Sequence, residues 1–130
     1  MLPVIFGHAP AGSAKDQLVH YSQEVPSGHF RQFDHGLVDN YRKYGRMTPP
    51  DYNLDNVQAK VALHYASDDW LASPQDVEKL GSKLPNVVGM FHVPHTRFNH
   101  VDFVWGTNVR TIVYDKILRL MRLAEANALP

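Results

Sequence analysis

The sequence contains no cysteine among its 130 residues. This absence excludes disulfide bonds, thiolate metal sites and a cysteine nucleophile, so thiol-based redox chemistry is not expected. It leaves the cellular compartment open, because a lack of disulfides is compatible with both oxidising and reducing surroundings.

The sequence also lacks long apolar runs and an excess of charge of either sign. The N-terminal apolar run Leu2–Phe6 contains Pro3, and it is shorter than a signal-peptide apolar region of about 7 to 15 residues or a spanning helix of about 20. We therefore expect no signal peptide and no transmembrane segment in this chain. Thirteen Lys and Arg residues balance thirteen Asp and Glu residues, which gives no basis for expecting a nucleic-acid partner or an anionic membrane partner.

The composition is that of a soluble globular chain with a core. Hydrophobic residues make up 44% of the sequence and charged residues 20%, which excludes collagen-like, coiled-coil and disordered classes. The length corresponds to about one ordinary domain.

The first half of the chain shows few regular patterns. Leu2–His8 is apolar and predicts a short strand or extended segment. Ser13 and Asp16 have the spacing of a capping box and predict a helix over Ala14–Glu24. Residues 30–50 have no clean period and end in a proline pair, which predicts an irregular segment.

The second half alternates between strand and helix patterns. Two apolar runs, residues 61–66 and 87–93, predict buried strands. Between them, the Ser73-Pro74 pair with Asp76 predicts a helix that begins at Pro74 and ends near Leu84. A final helix is indicated by one apolar face: Val109, Ile112, Val113, Ile117, Leu120, Met121 and Ala124. This order predicts an α/β fold with short parallel strands and crossover helices.

Two loops that follow the predicted strands carry groups for acid–base chemistry. Asp69 follows the first strand and His100 follows the second, and loops at the carboxyl ends of parallel strands converge over one crevice. A carboxylate that accepts a bond from an imidazole Nδ1–H prepares Nε2 to act as a general base.

A nucleophile is not evident in this chain. Hydrolases with this strand order place a serine elbow, G-x-S-x-G, before the acid and the histidine, and no such motif occurs here. Ser13 lies in the nearest approach to it, but its context is that of a helix cap.

Three stretches carry a family resemblance. Residues 7–13 read GHAPAGS, residues 69–74 read DWLASP and residues 98–103 read FNHVDF. They resemble the H-x-P-A-G, D-x-L-A-x-P and N-H-x-D-F motifs of the acid lipase family, the gastric, lysosomal and insect lipases. Further resemblances run in order from about residue 2 to about residue 122: Tyr21-Ser22-Gln23, Phe30, Phe33-Asp34 and Pro49-Pro50-Asp51-Tyr52.

The resemblance implies a fold, an activity and a site. The fold is the C-terminal portion of an α/β-hydrolase, with residues 56–126 carrying the acid and the histidine, residues 1–55 forming the end of a cap or lid, and residues 127–130 a tail. The activity is hydrolysis of lipid esters such as triacylglycerols or sterol esters by a Ser-His-Asp triad. In that triad Asp69 is the acid and His100 the base.

The same resemblance implies what the chain would need and where it would act. Full-length family members carry the serine elbow and the oxyanion loop upstream, so we expect this chain to be inactive alone and to need the upstream part of the polypeptide. The expected substrate is a lipid ester at a lipid–water interface, and the expected location is secreted or lysosomal. No cofactor is expected.

Other assignments of the same residues stay open at this point. Asp68 competes with Asp69 for the acid role, and Asp102 is interpreted as structural rather than as the acid that orients His100. Trp70 and Phe98 are candidate substrate contacts, although such aromatics also fill cores. A zinc site at His92, His95 and His100 is disfavoured, because it lacks a suitable carboxylate spacing and an H-E-x-x-H motif.

Three functional hypotheses follow from these readings. The first is the acid-and-histidine part of a serine lipase, the second a non-catalytic lipid-binding or interaction module, and the third a metal-dependent hydrolase.

Overall fold

The computed structural model describes residues 2–9 and 11–129, and it divides into two units. The first unit, Met1–Asn53, contains three helices: α1 (Leu2–His8), α2 (Lys15–Ser27) and α3 (Leu37–Tyr44). The second unit, Leu54–Pro130, contains a short 3-10 turn (Leu54–Asn56), β1 (Val61–Tyr65), α4 (Pro74–Lys83), β2 (Val87–His92), α5 (Asp102–Trp105), a π-helical turn (Arg110–Tyr114) and α6 (Asp115–Glu125).

Helix α1 occupies the segment predicted to be extended, so that prediction is wrong. Seven consecutive, mostly apolar residues have no period that separates a strand from a helix turn. Pro3 lies in the first turn of the helix, where its missing N–H would have no intrahelical partner. The backbone N–H of Ala9 donates to Ile5 and closes the last turn.

Helix α2 is longer than predicted and is capped differently. It begins at Lys15 after Ala14 and ends at Ser27, three residues beyond the predicted end. The predicted capping box is wrong, because Ser13 Oγ donates to the Gln17 side chain and no side chain caps the helix. The helix continues through Pro26 and stops where Gly28 adopts a left-handed conformation with φ 63°.

Helix α3 lies inside the segment that was predicted to be irregular. Its limits are set by two glycines with positive φ, Gly36 at 86° and Gly45 at 70°. Its buried residue is polar: Asn40 is only 1% exposed. The periodicity of apolar residues therefore missed a helix that is anchored by hydrogen bonds.

The anchor of α3 is a network around the Asn40 amide. Nδ2 donates to Asp34 Oδ1 at 2.7 Å and to the Met47 carbonyl at 2.9 Å, while Oδ1 accepts from the His35 N–H at 2.9 Å. Asp34 also accepts from the Gly36 N–H. The Gly36 N–H and then the Asn40 amide lower the pKa of the Asp34 carboxyl, because both bonds favour its ionised form.

Replacing Asn40 by alanine should destabilise the first unit. Asn40→Ala leaves the His35 N–H and the Met47 carbonyl without their partner, which should cost about 1 to 3 kcal/mol. Faster amide hydrogen exchange over residues 35–47 would register the loss. Asp39→Ala is the matched control, since it removes only an exposed ion pair with Arg42 on the same helix and should cost under about 1 kcal/mol. Equal exchange rates in both variants would contradict this account.

The second unit contains a two-stranded parallel sheet. β1 and β2 pair with Leu63 opposite Met90 and His64 opposite Phe91, and the register shifts between Val61 and Ala62. Both predicted strands are confirmed, each one residue shorter than predicted, but their predicted burial is wrong: β1 is half-buried throughout, and Met90 and His92 of β2 are exposed. The residues left out, Ala66 and Val93, are fully buried just beyond the strand ends.

Helix α4 connects the two strands and begins as the sequence predicts. Ser73 Oγ accepts from the Asp76 N–H, and Pro74 occupies the first turn. The helix packs closely on the sheet at Gly81, where a Cβ atom would lie 2.8 Å from Met90 Sδ and 3.3 Å from Leu63 Cδ1. A glycine at this position therefore permits the close approach of α4.

The core of this unit lies beneath the carboxyl ends of the strands. Five residues are buried together, and three partly buried residues pack against them: Ala66, Val93, Phe98, Val109 and Val113, with Phe103, Ile112 and Ile117. The predicted apolar face of the last helix is thus confirmed as far as Ile117, and Leu120 is half-buried as well. Met121 is 58% exposed and Ala124 is exposed as well, so the prediction fails there. A π-helical turn over Arg110–Tyr114 precedes α6 and interrupts the regular helical period.

The face of the sheet turned away from α4 carries a stack of polar and aromatic side chains, because His64 and Phe91 alternate with Leu63 and Met90 along the strands. The His64 and Phe91 rings lie 5.0 Å apart, and Lys116 Nζ lies 4.0 Å from the centre of the Phe91 ring. Burial, and then the charge of Lys116, lower the pKa of the His64 imidazole below its ordinary 6.5. The folded state therefore disfavours the protonated form of His64.

The lowered pKa of His64 predicts a pH-dependent loss of stability. The unfolded chain binds this proton more readily, so stability should fall as the pH drops from 6.5 through the folded-state pKa. His64→Leu should flatten that part of the profile in denaturant unfolding measured between pH 7.5 and 5. Lys116→Met removes only the second cause and should flatten it less. The explanation would be ruled out if the free energy of unfolding of His64→Leu fell with pH as steeply as that of the wild type.

Candidate functional site

Asp69 and His100 form a hydrogen-bonded pair. His100 Nδ1 lies 3.0 Å from Asp69 Oδ2. Asp69 comes from the loop that follows β1 and His100 from the loop that follows β2, and because β1 and β2 are parallel neighbours these loops leave the same edge of the sheet. The two residues that the sequence singles out are therefore in contact, and the ring is bonded to Asp69 rather than to Asp68.

The carboxylate of Asp69 is buried and fixed by backbone donors. The residue is 4% exposed. Its Oδ1 accepts from the N–H groups of Leu71 and Ala72, both at 2.9 Å. These bonds satisfy one oxygen and leave the other directed at His100, so the carboxylate has a defined orientation.

The backbone around His100 forms a tight turn that is held by side chains on both sides of it. Asn99 Oδ1 accepts from the Val101 N–H at 3.1 Å, and Asp102 Oδ2 accepts from the Asn99 N–H at 2.9 Å. The first bond is an Asx turn, and the second ties the Asn99 backbone to the first residue of α5. The predicted structural role of Asp102 agrees with these bonds, since its carboxylate binds the turn.

The His100 ring has the tautomer of a general base. A carboxylate oxygen can only accept, so Nδ1 carries the proton and the neutral ring leaves the Nε2 lone pair available. The His100 side chain is 54% exposed while that of Asp69 is buried. A hydroxyl group that approached Nε2 would meet a base whose conjugate acid is stabilised by a fixed carboxylate.

The two aromatic residues predicted as substrate contacts lie in different surroundings. Trp70 is 88% exposed, next to Asp69. Phe98 is 4% exposed and packs edge-on against Phe103, with ring centres 4.8 Å apart. Phe98 therefore anchors the His100 loop in the core, and Trp70 presents its ring at the surface beside the pair.

The three histidines of the disfavoured zinc site have separate environments. His92 Nε2 bonds to Ser67 Oγ, the His95 ring packs edge-on to Phe98, and His100 bonds to Asp69. Within residues 2–9 and 11–129, no group of three or more His, Asp or Glu side chains is placed to hold a metal ion. In the same residues, no helix combines the length and apolar character needed to cross a bilayer.

Sequence reasoning missed some of the groups that build this site. The Leu71 and Ala72 N–H groups that fix Asp69 leave no side-chain signal. The bond from the Asn99 N–H to Asp102 does leave one, since these two residues stand three apart before an apolar stretch. The Ser67–His92 bond was also missed, because its partners are distant in sequence.

Comparison with known proteins identifies the family. No protein-family model matches the chain. It is 42% identical to Lipase 3 of Drosophila melanogaster over 125 residues, covering 96% of this chain and 32% of that lipase. It is 40% identical to gastric triacylglycerol lipase of Bos taurus over 121 residues, covering 92% of this chain and 30% of that enzyme. Over most of its length, the chain is homologous to the acid lipases.

The similarity extends to a human enzyme, and it covers only part of the length of each relative. Human lysosomal acid lipase/cholesteryl ester hydrolase is 36% identical over 116 residues, covering 88% of this chain and 29% of that enzyme. The chain thus spans about a third of the length of these acid lipases. Such lipases have an α/β-hydrolase fold, with which the two-stranded parallel sheet and its helices are compatible as a part.

The tautomer of His100 gives a direct test of the pair. In Asp69→Asn, the amide keeps an oxygen for Leu71 and Ala72 but turns a donor toward Nδ1, so the Nε2–H tautomer of His100 should become dominant. Long-range ¹⁵N–¹H spectra of the imidazole would measure this change. Asp68→Asn is the matched control and should leave the tautomer as it is. A shift in the control and none in Asp69→Asn would reverse the assignment.

Proposed function

We propose that this chain supplies the acid and the base of a Ser-His-Asp triad that hydrolyses carboxylic esters of lipids. The observation that carries the proposal is the bond between Asp69 and His100, which joins a buried carboxylate to a partly exposed imidazole. The serine and the oxyanion donors come from polypeptide outside this chain. The chain alone is then expected to be inactive.

The proposed reaction uses His100 twice. Its Nε2 takes the proton of the serine hydroxyl as the serine oxygen attacks the ester carbonyl, and Asp69 stabilises the resulting imidazolium. The imidazolium then protonates the departing alcohol and leaves an acyl-enzyme. Water attacks the acyl group by the same route, with His100 again as the base, and releases the fatty acid.

The substrate class and location follow from the relatives. Two of the three relatives named above are a triacylglycerol lipase and a cholesteryl ester hydrolase by name, which supports a lipid ester as substrate at a lipid–water interface. The exposed Trp70 beside Asp69 is a candidate contact for the acyl chain, whereas Phe98 would act through the loop that it anchors. A secreted or lysosomal location is proposed on the same basis.

The proposal also assigns the two parts of the chain. Residues 56–126 would form the C-terminal portion of an α/β-hydrolase that carries the acid and the histidine. Residues 1–55 would form the end of a cap or lid, and residues 127–130 a short tail. The parallel pairing of β1 with β2 through α4 supports the first assignment.

A chimeric enzyme tests this function. This chain would replace the matching segment of Drosophila Lipase 3, and cleavage of a chromogenic ester and of a triacylglycerol emulsion would be measured. We expect activity in the chimera and a loss of about 10⁴-fold in kcat for His100→Ala, because the general base is removed. His95→Ala, in the same loop, is the matched control, and its kcat should stay close to that of the unsubstituted chimera.

Two outcomes would contradict the proposal. Retained activity in the His100→Ala chimera would refute the assignment of His100 as the general base. A folded but inactive chimera in which this chain binds fatty acid would instead favour the lipid-binding module.

A further inference from the structure

A second histidine at the same sheet edge is bonded to a serine. Ser67 Oγ lies 2.6 Å from His92 Nε2. Ser67 stands two residues before Asp69, and His92 is the last residue of β2. The bond therefore joins the loop that carries Asp69 to the strand that leads to His100.

The surrounding backbone shows why this bond matters for Asp69. The strands themselves are held at their tips by the Val93 N–H, which donates to Tyr65 at 2.8 Å. Beyond that point the turn from Ala66 to Asp69 is closed by a backbone bond of 3.4 Å, which is long for an N–H···O contact. The Ser67–His92 bond lies at the surface and is shorter than the backbone bond of this turn, so it adds a side-chain restraint to the turn.

His92 differs from His100 in what its ring can do. Its Nε2 is occupied by Ser67 Oγ, and within residues 2–9 and 11–129 no carboxylate is paired with the His92 ring. The bond survives a change in charge: the hydroxyl donates to neutral Nε2, whereas protonated Nε2–H donates to the hydroxyl oxygen. These features suit a structural restraint better than a second nucleophile and base.

We propose that Ser67 and His92 form a strand-tip clamp that positions Asp69 for His100. The clamp, defined by Ser67 Oγ and His92 Nε2, holds the turn that carries Asp69 against the end of β2. Asp69 Oδ2 then stays within hydrogen-bond distance of His100 Nδ1 while Leu71 and Ala72 fix the other oxygen. Its significance for catalysis rests on the proposed function.

The clamp can be tested on the full chain without any substrate. In Ser67→Ala, the loss of one hydrogen bond should raise the population of the Nε2–H tautomer of His100 about fivefold, as seen in long-range ¹⁵N–¹H spectra of the neutral ring. Ser67→Thr keeps the hydroxyl and should restore the wild-type spectrum. Ser82→Ala, which removes a serine bond to the Lys79 carbonyl on α4, is the matched control and should change nothing at His100.

The same variants separate the clamp from general stability. Denaturant unfolding would be measured for all three variants. The clamp is supported if Ser67→Ala changes the His100 tautomer while its unfolding midpoint equals that of Ser82→Ala. An unchanged His100 tautomer in Ser67→Ala would overturn it, as would equal spectra for Ser67→Ala and Ser67→Thr.

The clamp and the proposed function are tested by different measurements, so one can be refuted without the other. In the chimera, Ser67→Ala should lower kcat severalfold with little change in KM, because it disturbs the base and not substrate binding. A tautomer change together with a chimera that cleaves no ester would support the positioning of Asp69 and refute the proposed function. An active chimera in which Ser67→Ala matches the parent in both readouts would refute the clamp alone.

Discussion

Burial of one carboxylate is the constraint on which the site depends. A charge taken out of water is costly unless its oxygens find donors, and Asp69 finds them in two backbone N–H groups and one imidazole. Because the backbone donors belong to the same loop as Asp69, their bonds to its carboxylate fix the conformation of that loop. The parallel pairing of β1 with β2 then brings His100 to the remaining oxygen.

The elements that surround the site were predictable because local and long-range signals agree there. The two strands are short apolar runs that end at polar loops, and Ser73-Pro74 with Asp76 is a complete helix start. Asp69 and His100 follow from chain order and from the family motifs. Their contact needed only the rule that neighbouring parallel strands end at the same edge.

The elements that escaped prediction depend on interactions that leave no periodic trace. Helix α3 is built on the buried amide of Asn40, which apolar periodicity cannot detect. Helix α1 has too few residues for any period to be decisive. The π-helical turn before α6 leaves no signal in the apolar pattern, and Met121 on the predicted apolar face is exposed.

The positions of the two tryptophans give this protein an intrinsic optical label. Trp70 lies beside the buried acid and Trp105 ends the short helix that follows the histidine turn, and the sequence has no other tryptophan. Trp70 is 88% exposed and Trp105 is 40% exposed, so their emission depends on what surrounds these two loops. Fluorescence at this edge of the sheet therefore responds to an apolar molecule arriving there without dyes or substitutions.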